Sequence, residues 1–294
     1  MATEAWGLEG RNMVLLYSEQ SIYGTAVTPA TAVGICNFES DVPSGIEAVF
    51  GFDDDALFIK EGIVIPTVRL SNLILQSKTF LDAISTRTSG QLPWYTLGLG
   101  YLDDAGTMYA RQLQDCKIGR WGLSLEASEQ GGLLVVPSLE FTGRKPTTLT
   151  SLAQANLATA PWHFRECILT KGGAAFESDR FSVDVSESLR TKSTIPGAAP
   201  TAGEERLYTY LKEGRRVISG EVTRAARHAV DTLGNPMSDF STILAATQAG
   251  GGSAPNSMTV TIGGCKFGGA QQSGGPDEEF RETAPFLAKT IAIT

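Results

Sequence analysis

The sequence predicts a mainly β protein, and three of its features carry that prediction. Its 294 residues include 32 glycines and 13 prolines, a supply of turn formers typical of many short strands. Segments in which polar and apolar residues alternate are frequent, whereas segments with helical periodicity are short and few. Hydrophobic residues make up 42% of the chain, enough to bury a sizeable core.

The clearest strands flank a predicted turn at residues 129–132. Before the turn Trp121 and Leu123 alternate with small and polar residues, and after it Leu139 and Phe141 do the same. Period-two alternation on both sides of a Gly-Gly turn predicts an antiparallel hairpin with one solvated face. The same rule predicts strands at residues 13–17, 64–75, 94–101, 181–186, 216–224 and 258–267.

Two short helices and two long loops complete the predicted elements. Apolar residues three and four apart predict helices at residues 77–86 and 238–247, with Ser77 and Ser238 as N-caps. Turn-forming residues predict loops at residues 41–55 and 187–205. Loops of this length in a compact domain are usually functional or disordered.

An internal repeat runs through the chain. Lys60-Glu61-Gly62 recurs 152 residues later as Lys212-Glu213-Gly214, and Cys116-Lys117-Ile118-Gly119 recurs 149 residues later as Cys265-Lys266-Phe267-Gly268. The two predicted helices and the Pro-x-Leu segments that begin at residues 137 and 285 recur at similar spacings. Ordered matches of this kind predict two related β domains, at residues 1–151 and 152–294.

Composition and motifs argue against several functions. A net charge of −8 is unsuited to wrapping nucleic acid, although an acidic surface would let phosphates pass with few sticking points. The four cysteines stand singly and are interpreted as buried reduced thiols, because no pair has metal-ligand spacing. No signal peptide or membrane span is predicted, so the protein is expected to be made and kept inside a cell.

Candidate catalytic and binding residues each have a simpler interpretation. Two groups of carboxylates, Asp53-Asp54-Asp55 and Asp103-Asp104 with Asp115, lack the spacing of a calcium loop and are interpreted as solvated loop residues. His163 and His228 have no nucleophile motif beside them and are assigned to packing and to the surface. The cluster of arginines at residues 215–227 is interpreted as a set of ion-pair partners between subunits. No enzyme activity, cofactor or metal is predicted.

Several segments resemble the tail tube proteins of phages with long, non-contractile tails. The segment at residues 19–29, Glu-Gln-Ser-Ile-Tyr-Gly-Thr-Ala-Val-Thr-Pro, is similar to the opening of these proteins. Residues 212–222 resemble the turn and strand of the family, and Cys265-Lys266-Phe267-Gly268 with the final strand resembles its C-terminal part. Together these segments are distributed along most of the chain, from residue 19 to the C-terminal strand.

The resemblance implies a fold, a function and a set of partners. It implies a β-sandwich or half-barrel flanked by a short helix, which the repeat makes two tandem domains, in a virion protein made in the host bacterial cytoplasm. Subunits would join their sheets into rings, expected to be trimers, that stack into the tail tube around transiting double-stranded DNA. The tape-measure protein and the tail terminator and tip proteins would be partners.

Within this framework the sequence nominates two sets of residues. The channel face is expected to contain Thr67, Arg69, Ser71, Ser219, Glu221 and Thr223. Contacts between subunits or rings are expected from Asp53, Asp54, Asp55, Thr191, Lys192 and Thr194. The alternative function is a tail-tip, baseplate or adhesion protein that binds through similar β domains, and a glycan hydrolase ranks last because no acid pair stands out.

Overall fold

A computed structural model describes most of the chain, in eleven stretches. These are residues 13–41, 44–50, 56–88, 90–102, 108–127, 132–152, 160–193, 207–225, 240–247, 257–274 and 281–294.

The mainly β prediction is confirmed, because strands dominate every long stretch and the described residues contain one α-helix. The strands are β1 (Met13–Gln20), β2 (Thr31–Ala32), β3 (Ile35–Asp41), β4 (Ser44–Phe50), β5 (Ala56–Val64), β6 (Thr67–Ile74), β7 (Trp94–Leu102), β8 (Met108–Glu126), β9 (Val135–Thr142), β10 (Lys145–Leu149), β11 (Cys167–Lys171), β12 (Ala174–Ala175), β13 (Arg180–Lys192), β14 (Tyr210–Ala225), β15 (Phe240–Thr247), β16 (Ser257–Phe267), β17 (Gln271–Ser273), β18 (Arg281–Ala288) and β19 (Thr290–Ile293). The helix α1 is Lys78–Ser85, and a short 3₁₀ turn spans Phe164–Glu166.

All of these strands except β4 and β5 belong to one large antiparallel sheet. Its middle part, here called the central sheet, has the order β3-β6-β9-β8-β13-β14-β18-β17. A first flanking sheet has the order β2-β1-β7-β8-β10, and a second has the order β12-β11-β15-β16-β19. The long strands β8 and β16 each leave a flanking sheet and continue into the central one.

The core lies between the central sheet and the flanking sheets. Leu70, Leu139, Trp121, Val185 and Ile218 are opposite one another on five successive strands, and all are buried. They belong to one contiguous apolar cluster that also takes in side chains from both flanking sheets. Alternation along the central strands buries one face and leaves the other mostly polar, as the period-two pattern predicts.

Helix α1 confirms the first predicted helix. The Ser77 hydroxyl accepts a hydrogen bond from the Thr79 N–H at 3.2 Å, as expected of an N-cap. Phe80, Leu81 and Ile84 form its buried face, and the helix also contacts β19 near the end of the chain.

The second predicted helix, at residues 238–247, is wrong where the structure describes it. Residues 240–247 form β15, in which Thr242, Leu244 and Ala246 are buried on one face. The strand pairs with β11 on one side and β16 on the other. The apolar pattern of a segment this short fits both the helical and the strand period. Pairing with the backbone of two neighbouring strands favours the strand.

The two predicted long loops are wrong in part for a related reason. Within residues 41–55, Ser44–Phe50 is β4 and forms a separate two-stranded hairpin with β5. Within residues 187–205, the first six residues continue β13, which pairs with the start of β14 after a bulge between Glu187 and Leu189. Residues 51–55 and 194–205 lie outside the described stretches.

Candidate functional site: the polar face, the junction and the edges of the central sheet

The face of the central sheet opposite the core is mostly polar, although Val217 and Leu287 are also exposed on it. Arg69 on β6 is opposite Glu140 on β9, which is opposite Arg120 on β8. Arg120 is in turn opposite Ser186 on β13, which pairs with β14. All six residues predicted for the channel lie on this face: Thr67, Arg69, Ser71, Ser219, Glu221 and Thr223. That the face lines a channel stays a prediction.

Two arginines on the polar face are held by carboxylates. Arg69 Nε lies 3.0 Å from Glu140 Oε2. The Arg120 guanidinium donates to both oxygens of Asp184, the shorter contact being 2.6 Å, and this hydrogen bonding raises the pKa of Arg120. Guanidinium groups engaged in this way offer less to a passing phosphate than free ones.

The junction between the first and second halves of the central sheet is the β8–β13 pairing. Arg120 is opposite Ser186, and the antiparallel register continues to Glu126 opposite Arg180. The Arg120–Asp184 pair crosses this junction on the polar face. The two halves therefore share one hydrogen-bonded sheet.

A buried ion pair lies beside the junction. Lys117 on β8 is bonded to Glu213 on β14, with only 4% and 14% of the two side chains exposed. The second Glu213 oxygen accepts a hydrogen bond from the Leu92 N–H at 3.0 Å. The Lys117 ammonium also lies 3.9 Å from the centre of the Trp94 ring, a cation–π contact. Both charges thus have polar or aromatic partners in place of water.

A second buried cluster has a single carboxylate between two arginines. Glu187 lies at the β13 bulge, and its side chain is 1% exposed. Its carboxylate pairs with Arg87, just after α1, and with Arg216 on β14. Arg216 also donates to the Ser85 carbonyl at the end of α1, at 3.1 Å. The cluster ties the helix of the first half to the strands of the second.

The two halves repeat the same strand order. In the first half the pairs are β1–β2, β1–β7, β7–β8, β8–β10, β8–β9, β9–β6 and β6–β3. In the second they are β11–β12, β11–β15, β15–β16, β16–β19, β16–β18, β18–β14 and β14–β13. In the second half β17 pairs with β18 in the same way as the end of β8 pairs with β9 in the first half. Helix α1 lies between β6 and β7, and the segment between β14 and β15, residues 226–239, lies outside the described stretches.

The repetition extends to a bulge. Tyr95 on β7 is opposite Cys116 on β8, and Phe240 on β15 is opposite Cys265 on β16. In both places the register then shifts by one residue. Between that pair and the next one, two residues of the second strand lie opposite one residue of the first. The Cys-Lys-x-Gly matches in the sequence mark this shared feature.

The two bulges share a backbone conformation and a thiol hydrogen bond. The residue before each cysteine has a positive φ, 53° at Asp115 and 63° at Gly264. Each Sγ donates to the backbone carbonyl three residues earlier, at 3.2 Å for Cys116 and 3.5 Å for Cys265. Burial raises the pKa of Cys265 to about 11 and that of Cys116 well above its usual range, so both are neutral thiols at physiological pH.

Asp115 is not the solvated loop residue that the sequence suggested. It is 1% exposed, and its Oδ1 accepts hydrogen bonds from the Gly24 N–H at 2.7 Å and from Gln20 Nε2 at 3.4 Å. The side chain thereby fixes the segment that follows β1. Asp103 and Asp104 lie outside the described residues.

The predicted contact residues and arginines have mixed outcomes. Thr191 and Lys192 lie exposed at the end of β13, and their predicted contacts with other subunits stay predictions. Arg216 and Arg224 were assigned to pairs between subunits, but within one chain they already contact Glu187 and Glu282. Four further residues lie outside the described stretches: Asp53, Asp54, Asp55 and Thr194.

Both ends of the central sheet have an edge that no described strand covers. At one end, β3 pairs with β6, and its other edge has no partner among the described residues. At the other end, β17 pairs with β18, and its outer edge is likewise uncovered in the described part of the chain. Uncovered edges present backbone donors and acceptors to another strand.

Comparisons with protein families and with curated proteins found no match for this chain. Among the described residues, no helix is long and apolar enough to cross a bilayer, and no group of three metal-binding side chains is close enough to hold an ion.

Proposed function

We propose that this chain is a structural subunit of the tail tube of a long-tailed phage, and that it forms stacked rings around a DNA channel. The observation that carries the proposal is the central sheet. It is mostly polar on one face, packed on the other and uncovered at both described edges. Such a sheet is suited to closing with copies of itself, which removes its edges.

In this proposal the chain consists of two tandem tube domains, residues 1–151 and 152–294, each a β-sandwich or half-barrel. The repeated strand order and the shared cysteine bulge support the duplication. The resemblance implies six tube domains in each ring, so three copies of a duplicated chain would supply them. The ring would then be a trimer with pseudo-sixfold symmetry.

The polar face would line the channel, where its role is to repel and release DNA without binding it specifically. Arg69 and Arg120 lie on it, but each is paired with a carboxylate, and the protein as a whole is acidic. Phosphates passing such a hydrated surface meet few sites that hold them.

The remaining parts of the proposal follow from this role. The protein would be structural and not an enzyme, with its place in the tail of the virion. Its partners would be its own copies, the tape-measure protein during assembly, the tail terminator and tip proteins, and double-stranded DNA in transit.

Cryo-electron microscopy of the purified protein tests the proposal. We expect tubes or stacked rings of uniform width, with three chains in each ring and the polar face inward. Compact monomers under all assembly conditions would contradict it and favour a tail-tip or adhesion module. Tubes with six chains in each ring would contradict the duplicated-domain part alone.

A further inference from the structure

We propose that β3 of one copy pairs with β17 of a second copy, in an antiparallel register that places Glu39 opposite Ser273. The inference rests on the proposed assembly into rings and names the contact that would build them. Its template is the β8–β13 pairing inside the chain, which joins the two repeats.

The position of β17 follows from the cysteine bulge. Because Cys116 and Cys265 occupy the same place in the repeat, residues on β8 correspond to residues 149 positions later. Ser124 then corresponds to Ser273, and β17 pairs with β18 as the end of β8 pairs with β9. The outer edge of β17 is therefore equivalent to the edge of β8 that pairs with β13.

The position of β3 follows from the other side of the repeat. Phe141 on β9 and Phe286 on β18 are each opposite the second residue after the equivalent cysteine. Strand pairing carries this equivalence from β9 across β6 to β3 in the first half, and from β18 across β14 to β13 in the second. At the ends of these two paths, Glu39 on β3 is the equivalent of Ser182 on β13. The outer edge of β3 is therefore equivalent to the edge of β13 that pairs with β8.

The internal junction sets the register. Within the chain Ser182 on β13 is opposite Ser124 on β8. Replacing each residue by its equivalent places Glu39 opposite Ser273, and both are exposed in the single chain. Because the two edges differ, each copy offers one to its neighbour, and a contact of this head-to-tail kind builds a ring when the rotation closes.

The contact between copies would lack two features of the internal junction. The equivalent of Trp121, which is fully buried, is Ala270, and the equivalent of Arg120, which pairs with Asp184, is Gly269. Less apolar area is available, and the arginine–carboxylate pair is absent. We therefore expect the copies to separate at a lower denaturant concentration than the one that unfolds the chain.

Disulfide cross-linking tests the register. In a background in which the partly exposed cysteines Cys36 and Cys167 are replaced by alanine, the test variant carries Glu39→Cys and Ser273→Cys. A matched control carries Glu39→Cys and Gln272→Cys, since a shift of one residue turns a side chain to the opposite face. A geometric control carries Ser124→Cys and Ser182→Cys, the equivalent pair within one chain.

After mild oxidation of the assembled protein, we expect the test variant to give covalent dimers and trimers on a non-reducing gel. The one-residue control should give several-fold less, and the geometric control should close a bond within the chain. Tubes without this cross-link, or equal cross-linking in both variants, would overturn the register and leave the tube proposal standing. Covalent trimers that never stack into tubes would support the register and count against the tube.

Discussion

Replacing Glu187 with glutamine should destabilise the folded chain far more than replacing Asp184, on the polar face, with asparagine. The Glu187 carboxylate is 1% exposed and contacts two arginines whose side chains are only 22% and 16% exposed. Removing its charge leaves two largely buried cations without an anion. Breaking a buried pair costs about 3–5 kcal/mol, a large part of the roughly 5–15 kcal/mol that stabilises a typical protein.

Asp184→Asn is the matched control, because Asp184 also pairs with an arginine across the β8–β13 junction. Its partner Arg120 is 58% exposed and Asp184 is 34% exposed, so the loss should be only about 0.2–1 kcal/mol. Urea denaturation followed by tryptophan fluorescence measures both free energies of unfolding. The argument from burial fails if Glu187→Gln shifts the midpoint no more than Asp184→Asn does.

Three further outcomes are expected. Gly220→Ala should lower the free energy of unfolding by about 1–3 kcal/mol, because a Cβ there would lie 2.2 Å from the Phe286 ring and 2.4 Å from a backbone carbonyl. Gly269→Ala is the control and should cost much less, because nothing lies within 4 Å of a Cβ at that position. Equal melting temperatures for the two variants would contradict this. Burial raises the pKa of Cys265 from its ordinary 9.0 to about 11. The contribution of the Cys265 thiol to stability should therefore be intact below pH 9 and be lost as the pH rises to about 11. In urea titrations over that range, a Cys265→Ala variant should lose less stability than the unchanged protein. Glu140→Gln removes the negative charge that pairs with Arg69 on the polar face. The variant should make assembled protein retain more DNA at low salt, as measured by co-sedimentation, and unchanged DNA retention would count against the proposed release role.

Much of the fold was predictable because the relevant signals are local. The alternation around Trp121 and Leu139 correctly predicted the β8–β9 hairpin, and Ser77 correctly marked the start of α1. The six residues proposed for the channel fell on one face because period-two alternation fixes a side chain's face within each strand. Residues 240–247 were mispredicted because their short apolar pattern fits both a helix and a strand.

The repeat was visible in the sequence, although its exact alignment was not. The Cys-Lys-x-Gly matches coincide with the shared bulge, and the Lys-Glu-Gly matches lie on β5 and β14. The Pro-x-Leu match is out of register: strand pairing makes Phe141 the equivalent of Phe286, which are 145 residues apart and not 148. A bulge on one strand shifts the spacing, and a comparison of short motifs does not show where a bulge falls.

The sequence by itself determined the β class, most strands, the first helix, the acidic balance and the presence of a repeat, since each depends on residues close together in the chain or on composition alone. Only the tertiary structure decided that both repeats share one sheet through β8 and β13, and that Lys117 meets Glu213 from 96 residues away. It also decided that Glu187 lies buried between two arginines, in a segment whose composition suggested a solvated loop. Strand partners and buried charges are chosen by packing among distant segments, so a local pattern specifies which face a residue takes but not what lies opposite it.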